Sequence, residues 1–171
     1  MGPALASRHF PRENVIRHSA IVKSLFVLLV LVFAAQPAGS KVSGPDAAIL
    51  EIATRNGVQV FSVEVVNKDG DRARGLMFRR ELPERHGMLF QFDSEANVSM
   101  WMRNTYIPLD MIFIKGNGQI LRIAENTEPL SERIIRSGGP VRAVLEVAGG
   151  TSKKLGIEPG DRVGHPIFAR N

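Results

Sequence analysis

No cysteine occurs among the 171 residues. Disulfide scaffolding, thiolate metal sites, a cysteine nucleophile and lipid attachment to an exported cysteine are therefore all excluded. Aromatic residues make up only 6% of the chain, with one Trp and one Tyr, and both fall in a single short segment. Histidine is also scarce. Four are present, and downstream of residue 40 only His86 and His165 remain. The chain has no HExxH, GxSxG or G-x-x-x-x-G-K-[ST] pattern, so the usual signatures of zincin, nucleophile-elbow and P-loop chemistry are missing. No internal repeat, heptad or low-complexity tract follows residue 40.

A strong excess of charge over the folded part is missing too. The formal net charge is +5, but residues 1–40 carry Arg8, Arg12, Arg17 and Lys23 against Glu13 alone, which leaves only +2 for the remainder. Interspersed signs at that balance make a poor footprint for a phosphate backbone, so no nucleic-acid partner is expected. The five arginines 72, 74, 79, 80 and 85 are offset by Glu81 and Glu84 and read as a solvated face.

The longest apolar run, Leu25 to Ala35, is eleven residues. Such a helix rises about 16 Å, roughly half a bilayer core. A basic stretch before it and Gln36, Pro37 and Gly39 after it give the layout of a secretory signal. The expectation is a signal peptide over 1–35, a linker and lead-in over 36–57, and a single periplasmic or secreted domain over 58–171. Contact with a membrane is expected only through the signal segment if it stays uncleaved.

Val58 to Val66 alternates with period two and predicts a strand, and a further short strand is expected at Ala48 to Ala53. Asp69 or Asp71 is placed to cap a short helix reaching Met77 or Arg79. Strands are then predicted at 87–92, 98–102, 110–114, 119–124, 141–147 and 163–168. Lys115-Gly116-Asn117-Gly118 marks a hairpin, and Thr151 to Leu155 a single helical turn closed by Gly156. The fold class implied is α+β, mainly antiparallel, a small barrel or strongly curled sheet with one or two short helices.

Chemistry-bearing residues concentrate in Met100 to Met111, MWMRNTYIPLDM. Trp101 and Arg103 are predicted on one strand face, Met100 and Met102 on the other. Asn104, Thr105 and Asp110 carry short polar side chains able to meet a ligand or to tie up loop backbone. Asp110 sits between Leu109 and Met111, and Glu146 lies inside Val144-Leu145-Glu146-Val147. A carboxylate buried there needs a partner, and an arginine such as Arg74, Arg79, Arg103 or Arg142 is the one expected. Candidate ligand-binding residues are thus Trp101, Arg103, Asn104, Thr105, Asp110, Arg74 and Glu146.

The stretches Arg74-Gly75-Leu76-Met77-Phe78-Arg79, Gly87-Met88-Leu89-Phe90, Trp101 to Thr105, Ile107 to Met111, Val144-Leu145-Glu146, Gly156-Ile157 and Gly160-Asp161 resemble the bacterial and archaeal DUF192 family, COG1430. The resemblance implies a compact β-rich domain, often behind a signal peptide, and brings no established reaction. Some members are labelled regulators.

The leading expectation is an exported accessory or binding module of the cell envelope, non-catalytic, with no cofactor and with a small-molecule, glycan or protein ligand. One alternative is an envelope hydrolase using Asp110 and Glu146 as an acid and base pair, which requires both in one cleft. The other is a periplasmic Cu(I) site built from Met100 and Met102, with His86 or a further methionine completing a soft ligand set.

Overall fold

The computed structural model describes residues 47–169. The expected signal segment lies outside the described residues. Seven strands form one sheet: β1 (Ala47–Thr54), β2 (Gly57–Val66), β3 (His86–Met100), β4 (Leu109–Ile114), β5 (Ile120–Thr127), β6 (Ile135–Ala148) and β7 (Arg162–Gly164). Two short helices accompany them, α1 (Asp69–Arg74) and α2 (Thr151–Leu155), with a 3-10 turn at Pro166–Phe168. The spatial order is β5-β4-β6-β3-β2-β1-β7, and every pair is antiparallel except β2 with β3. An isolated bridge between Gln119 and Arg162 joins the two edges, so the sheet curls until β5 meets β7. The α+β, mainly antiparallel class with a strongly curled sheet is what the strand pattern implied.

Several local expectations are corrected. The strand expected at 48–53 is β1, paired along its whole length with β2, so the sheet begins inside the stretch taken as lead-in. Strands expected separately at 87–92 and 98–102 are one strand, β3, whose register against β6 shifts between Gln91 and Ala96 and again between Asn97 and Ser99. Bulges absorb the polar residues that looked like a break. β3 ends at Met100, which puts Trp101 and Arg103 in a loop rather than on a strand face. The last strand stops at Gly164 because Pro166 starts the 3-10 turn. Helix α1 ends at Arg74 with Gly75 at φ 49, short of Met77. Its N-cap is Lys68 with no side-chain cap bond, and Asp69 pairs with Arg72 instead.

Two cores lie back to back on the sheet. The inner one draws residues from all seven strands, among them Leu50, Phe61, Leu89, Ile112, Leu145 and Val163. The outer one takes its fully buried strand residues from β3, β4 and β6, among them Met88, Phe90, Met111 and Val144, and is covered by Leu76 and Met102 from the connections. Two adjacent rows across the sheet show the alternation. Val63, Gly87, Val147 and Asp110 are successive partners, and so are Glu64, Met88, Glu146 and Met111. Neighbouring rows in a pleated sheet face opposite sides. Asp110 therefore points to the inner core and Glu146 to the outer one.

Candidate functional site

The inner acid is fully engaged. Asp110 is completely buried, and its Oδ1 accepts from the backbone N–H of Asn126 at 2.7 Å and of Gly150 at 2.9 Å. Its Oδ2 accepts from Ser152 N–H at 2.7 Å. The last two donors are at the start of α2, whose N-cap is Gly150 at φ 83, so Asp110 caps that helix from a distant strand. Thr151 does not. The arginine partner expected for Asp110 is replaced by three backbone donors, which satisfy the oxygens of the buried carboxyl group. Gly149 serves the same junction, since a Cβ there would stand 2.7 Å from Asn126 Oδ1 and 2.9 Å from Pro108 Cβ.

The outer acid is not engaged. Glu146 is 4% exposed, flanked in its row by Met88 and Met111, and burial alone pushes its carboxyl up to about 8. Neither a hydrogen bond nor an opposite charge among the described residues offsets that burial. At neutral pH the group is consequently a protonated acid, a donor as well as an acceptor. It lines a cavity of about 230 Å³, shared with Leu76, Met77, Phe90, Met100 and Trp101. Arg74 and Thr105 also border it.

Gly75 shapes this cavity. Its backbone is left-handed, and a Cβ at that position would meet the Phe90 ring at 3.0 Å. Beside it, three connections are stitched together by the backbone: Phe78 N–H donates to Asn104 O, Leu130 N–H to Thr105 O, and Met102 N–H to Ser131 O. Phe78, Asn104 and Leu130 all take positive φ, at 65°, 56° and 63°. For Phe and Leu that conformation is strained, yet both side chains are displayed to solvent. Trp101, 41% exposed, stands on the same rim with the Arg103 guanidinium 5.2 Å from its ring centroid.

Of the seven sequence-derived candidates, Trp101, Thr105, Arg74 and Glu146 come together around this cavity. Arg103 covers Trp101 and pairs with Glu132 on the surface, and Asn104 donates to Met77 Sδ. Asp110 is elsewhere, on the inner face. The two acids thus cannot act on one bond, and the hydrolase pairing of Asp110 with Glu146 fails on geometry. The copper set is dispersed as well. Met100 lines the Glu146 cavity, whereas Met102 borders a different one and its sulfur accepts from Thr127 Oγ1. His86 is exposed, borders neither cavity, and its Nδ1 lies 3.0 Å from Glu84 O. Sequence reasoning misses the cavity wall at Leu76, Met77 and Phe90. The one signal pointing there is Gly75 inside an expected helix.

The DUF192 family, described as Uncharacterized ACR, COG1430, matches residues 51–165. Among solved structures, a candidate transcription regulator from Sinorhizobium meliloti 1021 is 44% identical, with 71% of this chain and 96% of that one covered and a TM-score of 0.67. A protein of unknown function from Novosphingobium aromaticivorans DSM 12444 is 40% identical, covering 77% of this chain and 94% of that one, with a TM-score of 0.70. No curated protein matches the chain.

Proposed function

Because the chain belongs to the DUF192 family, which brings a fold without a reaction, the function must be argued from the site, and we propose a binding module for a small, largely apolar molecule held in the Glu146 cavity. The observation that carries this reading is an acid with no partner among the described residues, lining an apolar cavity. A buried polar group left unsatisfied costs stability, and a ligand atom that satisfies it recovers that cost. The volume favours a small molecule over a glycan chain, since it falls below the roughly 300–1,000 Å³ of sites that take drug-sized ligands. The role is that of an exported accessory protein of the envelope, a reading supported by the signal-like pattern of residues 1–35.

Trp101 is the chain's only tryptophan and reports directly on the cavity. Six-carbon apolar compounds titrated into the protein are expected to change its fluorescence and raise the melting temperature. Met77→Trp, which fills the cavity, is expected to abolish the thermal shift. If no six-carbon compound shifts the parent protein, the binding reading is wrong.

A further inference from the structure

The chemistry of the cavity wall narrows the ligand class. Three guanidinium groups stand near the cavity: Arg72 and Arg74 border it directly, and Arg103 lies over Trp101 on its rim. Arg72 also lies 5.6 Å from the centroid of the Phe92 ring. Two of the three aromatic rings that line the cavity, Trp101 and Phe92, thus already carry one of the protein's own cations.

An anion is disfavoured beside Glu146 for a different reason. Arg72 is committed to Asn67 O and Gln91 O and pairs with Asp69. Arg74 is solvent-exposed, so water screens it. Glu146 is flanked in its row by Met88 and Met111, with no cation among them. Two strands away in the same row, Glu64 is neutralised by Arg79 through hydrogen bonds of 2.6 Å to each oxygen. Trp101 and Thr105, from the loop after β3, add no ionisable group. A carboxylate placed beside Glu146 would be buried without compensation.

We infer, building on the binding role proposed above, that the ligand is a small uncharged molecule with an apolar body and one carbonyl oxygen, seated with that oxygen on the Glu146 carboxyl. The acid proton makes one hydrogen bond to the carbonyl, and Met77, Phe90 and Met100 enclose the body. An amide, ester or ketone meets this description. Binding needs the proton, so it is lost as Glu146 ionises on the alkaline side of about 8.

The test is a matched series of hexanamide, hexanoate and hexylamine, measured by calorimetry on the full chain and on Glu146→Gln at pH 6.5 and 9.5. Hexanamide is expected to bind the parent best, and to bind it roughly thirtyfold more weakly at the higher pH. Glu146→Gln keeps an N–H donor without a titrating proton, so it is expected to retain hexanamide with the same affinity at both pH values. A purely structural Glu146 would leave the parent's affinity independent of pH, which overturns the inference. Preference for hexylamine that disappears in Glu146→Gln, or preference for hexanoate, also overturns it while leaving the cavity as a binding site. Failure of all three overturns the binding role itself.

Discussion

Asp110 and Glu146 are two carboxyl groups in adjacent rows of one sheet, both buried, and they have opposite fates. On the inner face three backbone N–H groups converge on Asp110 and join β4, β5 and the start of α2. On the outer face no group among the described residues offsets the burial of Glu146, and methionines flank it. A buried acid with all its bonds made holds structure together. One with its bonds unmade stores an unsatisfied interaction, and such groups concentrate at functional sites.

The largest expected effect tests the inner acid. Asp110→Ala leaves three donors without their acceptor, the Ser152 N–H buried and those of Asn126 and Gly150 partly so, and is expected to lower unfolding free energy by about 4 kcal/mol in a denaturant titration. A loss under about 1 kcal/mol would mean that the α2 junction does not depend on this carboxylate.

Next comes the outer acid, with the opposite sign. Its native carboxyl binds a proton up to about pH 8, while in the unfolded chain the ordinary value is 4.5. Between those limits the native state holds more protons than the unfolded one, so stability falls as pH rises and is fully present only below about 4.5. Glu146→Gln is expected to be about 3 kcal/mol more stable than the parent at pH 7, equal to it at pH 4, and flat between. Equal slopes in parent and variant would show that Glu146 is solvated in solution, and the contrast between the two faces would collapse.

Smaller effects sharpen the picture of the cavity. Gly75→Ala combines a left-handed backbone with a contact to Phe90 and is expected to cost about 2 kcal/mol and to weaken hexanamide binding. Trp101→Ala, at a half-exposed rim position, is expected to change stability by less than about 1 kcal/mol while reducing ligand-induced thermal stabilisation. Arg103→Gln removes an exposed pair with Glu132 and the cation over the Trp101 ring, and about 1 kcal/mol or less is expected.

Much of the inner architecture is legible in the amino-acid sequence. Period two in Val58 to Val66, the hairpin at Lys115 to Gly118, and Gly156 at φ 66 closing α2 are all local signals, and local signals survive folding. The hairpin closes through Lys115 N–H to Gln119 O at 2.9 Å. What Asp110 binds is illegible there, because its donors sit at residues 126, 150 and 152 and are backbone groups that every residue type but proline offers. Arginine is the partner that side chains alone suggest. The cavity is half legible: Glu146 inside an apolar strand stands out, and Trp101 does too. Its wall from Leu76 to Met77 does not, since α1 buries none of its residues and carries no apolar stripe to reveal which way it faces.

The single parallel pairing, β2 with β3, has a consequence for timing. Parallel neighbours need a long crossover, and here residues 67–85 supply it, carrying α1 and the wall at Leu76 and Met77. α1 has no buried side chain, and Leu76 is the one fully buried apolar residue that this crossover contributes to the outer core. The crossover can open as a unit while the antiparallel framework stays closed. Amide hydrogens of the crossover then exchange early and those of β4 and β6 late, and a molecule leaving the cavity has only to wait for the faster of the two events.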